Sequence, residues 1–192
     1  MNIFLRLKHW QLFGLLIVIP FVLQIVGMTI VILQNDPAIL FAVLPLMMIL
    51  FMGVFFSWFY ALGINLNKKL PDTVNMNLKK FKWFLFIPIA YMIFLCIYMV
   101  GIFTYTFTVG EPNPAVVFGT FGIIFPLHLF SIFCIFYCIY FNAKSLKSVE
   151  LQRPVTFEDY VGEFFLIWFF PIGIWVIQPR INKIFNNVQP KS

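Results

Sequence analysis

Long uncharged apolar runs alternate with short charged connections along this chain. Four of these runs contain no Asp, Glu, Lys or Arg: residues 10–34, 37–66, 83–110 and 112–142. Each exceeds the roughly 20 residues that a helix needs to cross about 30 Å of hydrocarbon. Because lipid offers no partner for backbone polar groups, a helix is expected in each run. The pattern predicts an all-α integral membrane protein with four transmembrane helices, at about 10–34, 37–64, 83–109 and 114–141.

Composition agrees with this pattern. Hydrophobic residues make up 62% of the 192 residues and charged residues 10%, and the mean hydropathy is +0.96. These values lie far from those of a soluble domain, whose surface must face water. No segment outside the runs is long enough for a separate catalytic domain. We therefore predict a single membrane domain over residues 1–192.

Lysine and arginine are confined to one side of the predicted crossings. Two precede the first crossing, five lie between the second and third, and three follow the fourth, whereas the connections that carry Asp36 and Glu111 have none. By the positive-inside rule, both termini are cytoplasmic. The net charge of +6 is spread over helix ends and no nucleic-acid motif accompanies it, so no nucleic-acid partner is expected.

A fifth apolar run follows the fourth crossing. Residues 164–179 are uncharged but number only sixteen, Pro171 and Gly173 interrupt them, and Arg180 follows. A crossing here would carry Arg180 outside, against the charge bias. We therefore favour a C-terminal interfacial or re-entrant helical segment over about 156–185, which turns back near Pro171 and Gly173.

Local chemistry predicts where that segment begins. Pro154 disfavours helix at the residue before it, so the fourth helix is expected to end near Arg153. Thr156 is followed three positions later by Asp159, which matches a capping box. A new helix is therefore expected to start at Thr156.

The stretches Phe169–Trp175 and Gln178–Asn182 read FFPIGIW and QPRIN. This combination resembles the C-terminal signature of uncharacterised small bacterial multi-pass inner-membrane proteins. The resemblance implies the inner (plasma) membrane of a bacterium and no particular activity. From their chemistry, Gln178, Arg180 and Asn182 either line a polar inlet or hold a lipid phosphate, or they belong to an amphipathic anchor.

Three polar side chains are predicted near the bilayer midplane: Gln24, Tyr98 and His128. Polar groups at this depth normally face protein, so the three could form one layer. His128 could serve a proton-linked carrier, because imidazole exchanges protons near neutral pH. Interhelical hydrogen bonding is the favoured interpretation, with Ser131 one turn away as the partner of His128.

Cations near the inner ends of the helices are candidate contacts for lipid headgroups. They are Lys68, Lys69, Lys79, Lys80, Lys82 and Arg180. Each cation near an anionic surface contributes about 1 kcal/mol of attraction. The same lysines also suffice to set the orientation of the protein.

Reactive groups do not converge in the sequence. The histidines and cysteines are not spaced to share a metal ion, and the membrane hydroxyls lack an adjacent general base. We therefore expect no catalytic residue, metal or cofactor, and membrane lipids as partners. The main hypothesis is a non-enzymatic accessory or scaffold subunit with a membrane protein partner. The alternatives are a small transporter or permeation module and a lipid-binding protein.

Overall fold

The computed structural model describes residues 3–35 and 38–186, and all regular structure in these ranges is helical. A 3-10 turn at Ile3–Leu5 precedes six helices. The helices are α1 (His9–Gln34), α2 (Ala38–Asn67), α3 (Leu78–Thr108), α4 (Pro114–Leu151), α5 (Phe157–Trp168) and α6 (Phe170–Asn186). Helices α1 to α4 are long and apolar enough to cross a membrane. The all-α class and the four apolar helices are confirmed.

The helices extend beyond the predicted crossings at their basic ends. Helix α3 starts at Leu78, before the crossing predicted from 83, and α4 continues past the crossing predicted to 141 and ends at Leu151, close to the helix end predicted near Arg153. Charge limits the part of a helix that can lie in lipid but does not stop the helix itself, which continues where water or protein surrounds it. The predicted acidic turn at Asp36 lies outside the described residues.

Each membrane-length helix contains a proline, as the sequence shows. In α1, residues Gly14–Val18 form a π-helical turn just before Pro20. A π-turn widens the backbone by one residue, which accommodates the missing N–H of a proline within the helix. Pro45 and Pro88 lie inside α2 and α3 and are buried, so protein packs over both sites.

Close packing is concentrated at the basic ends of the helices. Trp58 and Phe59 of α2 are completely buried there, together with Phe81 of α3 and Phe141 of α4. Toward the acidic ends, most side chains of α1 and α4 are exposed. Apolar side chains exposed at these ends suit a lipid environment. The helices therefore pack closely at the basic end of the bundle and loosely at the acidic end.

A glycine permits the closest approach within the bundle. A Cβ atom on Gly63 of α2 would lie 2.3 Å from Cζ of Phe81 and 3.1 Å from Oδ1 of Asn142. The Phe81 ring stacks on Phe141 with ring centroids 4.4 Å apart. Small residues that let neighbours approach closely are typical of helix packing in membranes. Gly63 thus brings α2, α3 and α4 together.

The C-terminal segment is helical, as predicted for residues 156–185. The Asp159 carboxylate accepts hydrogen bonds from the backbone N–H of Thr156 at 2.9 Å and from its hydroxyl at 3.2 Å. This confirms the predicted helix start, because an acidic residue at this position satisfies a free donor.

The chain reverses between α5 and α6 at Phe169, where φ is −85° and ψ is 53°. Pro171 and Gly173 lie in the first turn of α6 instead of forming the break, which corrects the predicted position. Proline suits the first turn because its missing N–H has no partner there in any helix. Where this hairpin lies relative to the bilayer stays a prediction.

Candidate functional site

The three predicted midplane residues lie on three different helices. Gln24 and Tyr98 are half-buried, on α1 and α3, and His128 is exposed on α4. In the part of the chain that the structure describes, no hydrogen bond or ring contact joins any two of them. Tyr98 stacks on Phe94 of its own helix instead, with ring centroids 6.3 Å apart. The three residues therefore do not contact one another directly, and their shared depth in the bilayer stays a prediction.

His128 does form an interhelical hydrogen bond, but not with the predicted partner. Its Nδ1 lies 3.2 Å from the hydroxyl of Tyr91 on α3. Ser131 is buried and its Oγ has no hydrogen-bond partner among the described residues. The prediction that Ser131 pairs with His128 was wrong, because Ser131 faces the packed interior while His128 lies on the exposed surface.

An apolar groove of about 500 Å³ lies between α2 and α3. Its walls carry almost no polar atoms besides the hydroxyls of Ser57 and Tyr60 and the thiol of Cys96. The lining residues are Phe4, Met48, Ile49, Met52, Gly53, Phe56, Ser57, Tyr60, Leu85, Ile89, Met92, Ile93 and Cys96. Sequence reasoning missed this groove. The methionines at 48, 52 and 92 are the available signal, since flexible thioethers are common on surfaces that bind variable apolar partners.

The dimensions of the groove match those of a lipid chain. From Met48 to Tyr60 it follows twelve residues of α2, or about 18 Å at 1.5 Å per residue. One leaflet of a bilayer has a hydrocarbon thickness of about 15 Å. Gly53 opens the groove wall, because a Cβ at this position would meet nothing within 4 Å.

The candidate headgroup lysines have different surroundings. Lys69 donates a hydrogen bond to the carbonyl of Ile184 at 2.8 Å and lies over the ring of Phe185. Lys80 lies over the rings of Phe84 and Tyr137. These two lysines contact other helices of the same chain. The remaining three lysines, Lys68, Lys79 and Lys82, are exposed.

Arg180 lies in an ion-pair cluster rather than facing solvent alone. It donates to both carboxylate oxygens of Glu150 at the end of α4 and, at 2.6 Å, to Glu163 of α5. Lys147 adds a hydrogen bond to Glu163 at 3.1 Å. The cluster contains two cations and two carboxylates, so its formal charge is zero. Arg180 thus joins α4, α5 and α6, and its predicted contact with a lipid headgroup stays a prediction.

Gln178 and Asn182, from the same stretch of α6, hold the N-terminal turn. The Gln178 amide donates to the carbonyls of Phe4 and Leu7 at 2.8 and 2.9 Å and accepts from Nε1 of Trp58 at 3.1 Å. Asn182 donates to the carbonyl of Leu5 at 2.8 Å. Gln178 is completely buried, so it is neither an inlet residue nor a surface anchor.

We call Gln178, Arg180 and Asn182 the C-terminal latch. The latch joins the two ends of the described chain to the basic end of the bundle. The latch also holds one wall of the groove in place. Phe4 lines that wall, and the Gln178 amide donates a hydrogen bond to the Phe4 carbonyl. Charge-assisted and buried hydrogen bonds of this kind are costly to break when one partner is removed.

The hydrogen bonds that Glu163 accepts from Arg180 and Lys147 favour its ionised carboxylate. Burial by itself raises the pKa of this carboxyl group, but hydrogen bonds from Arg180, the backbone and Lys147 outweigh it and leave the pKa below its ordinary value. For Arg180, the hydrogen bond to Glu150 and the contact with Glu163 raise the pKa. The ion pairs are therefore fully formed at neutral pH.

We expect the ion-pair cluster of Arg180 to make the stability of the protein decrease as the pH falls into the acid range. A carboxylate whose pKa is depressed in the folded state stabilises the fold above its unfolded pKa, and this contribution is lost as the pH falls through the folded value. The melting temperature in detergent should therefore be flat near neutral pH and fall below about pH 4.5, the ordinary value for glutamate. Circular dichroism melts between pH 3.5 and 8 measure this.

The variant Glu163→Gln is the control for the pH experiment. It should melt lower than the wild type at pH 7, and the difference should shrink below about pH 4 as the wild-type carboxyl becomes protonated. Asp159, whose pKa is also lowered by hydrogen bonds from Thr156 and Arg153, contributes a separate part of the acid response. A constant difference at every pH would contradict a role for the Glu163 charge.

Comparison with family models, curated proteins and solved structures gives no match for this chain. The resemblance of its C-terminal stretch to small bacterial inner-membrane proteins therefore stays a prediction.

Proposed function

We propose that this protein is a non-enzymatic membrane protein that binds a lipid in the groove between α2 and α3. The groove itself supports the proposal: an apolar cavity of about 500 Å³ between two helices of membrane length. In a bilayer, the molecules that fit such a surface are acyl chains. The methionines of its walls allow the groove to adapt to chains of different shape.

The proposal includes an orientation and a location. The basic ends of the helices face the cytoplasm of a bacterial cell and the acidic connections face outward, in agreement with the charge bias of the sequence. The latch and the hairpin of α5 and α6 then lie at the cytoplasmic surface. In this orientation the groove extends from the cytoplasmic headgroup level toward the middle of the bilayer.

Filling the groove with a large side chain should displace the lipid. In Gly53→Trp the indole enters open space at the groove wall without a clash at Cβ. We expect a loss of retained lipid of about 5- to 150-fold, because overpacking an apolar site typically costs about 1–3 kcal/mol. Native mass spectrometry of the full chain, purified in mild detergent and incubated with phospholipid, measures the retained lipid.

Gly122→Trp is the matched control for the groove experiment. Gly122 lies on α4, outside the groove lining, and a Cβ there also meets nothing within 4 Å. The control should retain as much lipid as the wild type. Equal retention by wild type, Gly53→Trp and Gly122→Trp would show that the lipid binds elsewhere on the helices, and the proposed function would be abandoned.

The other hypotheses have less support from the described contacts. A transporter based on Gln24, Tyr98 and His128 would need these groups to cooperate, and no hydrogen bond or ring contact among the described residues joins any two of them. In an accessory subunit, the exposed faces of α1 and α4 would contact the partner protein. Lipid can cover the same faces equally well, so their exposure does not favour a partner. Both remain predictions from the sequence.

A further inference from the structure

The groove between α2 and α3 continues toward the basic end of the bundle. A second cavity, of about 480 Å³, shares Tyr60, Leu85 and Ile89 with the groove. Its additional lining includes Lys79, Lys82 and Trp83 at the start of α3. The two cavities therefore adjoin each other: the groove is apolar, and the cavity at the basic end is lined by two cations.

The two lysines at this end are uncompensated. Both are exposed, and within residues 3–35 and 38–186 neither forms an ion pair or a cation–π contact. They lie three residues apart, so they occupy neighbouring positions on one face of α3. The N-terminal end of that helix adds a partial positive charge at the same place. This combination attracts a negatively charged group more strongly than a neutral one.

The aromatic residues give the depth of this charged end. Trp83 is 58% exposed and Tyr60 is 43% exposed, and both line the second cavity. Exposed Trp and Tyr side chains at helix ends concentrate at the level of the lipid headgroups. The lysines thus lie where the phosphate of a bound phospholipid would be, and the groove lies where its acyl chain would extend.

We infer that the groove selects a phospholipid with a net negative headgroup, whose phosphate lies between Lys79 and Lys82 and whose acyl chain follows α2 and α3. This inference rests on the proposed function and adds the class of lipid to it. Lys69 and Lys80 do not share in the selection, because the carbonyl of Ile184 and the rings of three aromatic residues engage their ammonium groups.

Competition between two lipids with the same acyl chains tests the inference. The full chain is delipidated in detergent, incubated with an equimolar mixture of phosphatidylglycerol and phosphatidylcholine, and analysed by native mass spectrometry. The wild type should retain phosphatidylglycerol preferentially. The double variant Lys79→Gln/Lys82→Gln should lower the ratio of phosphatidylglycerol to phosphatidylcholine by about 25-fold, a factor of about five for each lysine.

A control with the same change in net charge separates a site from general attraction. Lys68 and Lys183 are exposed at the same end of the bundle but do not line either cavity. Lys68→Gln/Lys183→Gln should leave the lipid ratio within about twofold of the wild type. If this control lowers the ratio as much as Lys79→Gln/Lys82→Gln does, the preference belongs to the whole basic surface and the inference is wrong.

The outcomes also distinguish this inference from the proposed function. If Gly53→Trp removes bound lipid but the wild type retains both lipids equally, the groove binds lipid without regard to charge and only the inference fails. If Gly53→Trp removes no lipid, the proposed function fails, whatever the lipid ratio is. Preferential retention that needs both Gly53 and the two lysines supports both.

Discussion

Replacing Arg180 with alanine should destabilise the protein by about 3 kcal/mol, because the change leaves two carboxylates without their main partner. The Glu163 side chain is 7% exposed and would keep only the hydrogen bonds that Lys147 and the backbone donate to it. Removing one member of a buried ion pair costs far more than the pair contributes, since the remaining charge stays desolvated. The melting temperature in detergent should fall by roughly 10 °C.

Arg153→Ala is the matched control for this prediction. Arg153 also pairs with a carboxylate, that of Asp159 at 2.9 Å, but its side chain is 54% exposed. Water screens an exposed pair of this kind, so it contributes little to stability and the melting temperature should change by only a few degrees. Similar losses for the two variants would show that burial of the Arg180 cluster has no special effect.

A second substitution separates charge from packing at the latch. In Arg180→Ala/Glu163→Gln the buried negative charge is removed together with its partner, so part of the lost stability should return. If the double variant is no more stable than Arg180→Ala, the unpaired charge of Glu163 is not the cause of the loss, and the arginine acts mainly through the contacts of its aliphatic stem.

The membrane helices could be predicted because lipid imposes a simple rule. A run of more than 20 residues without charge has few structures available to it in a bilayer, and α1 to α4 follow it closely. The start of α5 was also predictable, since Thr156 and Asp159 satisfy each other locally. A structural element could be predicted from the sequence wherever a single local constraint, such as an uncharged run or a capping box, determines it.

The latch and the groove depend on contacts that no local pattern shows. Gln178 could be recognised as a polar residue in an apolar run, but its partners are the carbonyls of Phe4 and Leu7, 174 and 171 residues away. Likewise, Tyr91 lies 37 residues from His128, whereas the nearby Ser131 faces the interior. The groove arises from the space between two helices, which no single helix specifies.

Gly173→Ala is the second substitution with a large expected effect. A Cβ on Gly173 would lie 1.6 Å from the backbone oxygen of Leu166, and a backbone atom cannot move aside as a flexible side chain can. The hairpin of α5 and α6 would have to open, which should cost at least about 3 kcal/mol. Because α6 carries the latch, opening the hairpin should also loosen the contacts of Gln178 and Arg180.

Thermal unfolding in detergent measures this effect, and limited proteolysis of the C-terminal segment reports the opening of the hairpin. Gly162→Ala, in α5, is the control: a Cβ there meets nothing within 4 Å, and alanine favours the helix by up to about 1 kcal/mol over glycine. The control should be as stable as the wild type or more stable. If Gly173→Ala behaved in the same way, α5 and α6 could not approach each other as closely as the structure shows, and the arrangement that places the latch against the bundle would need revision.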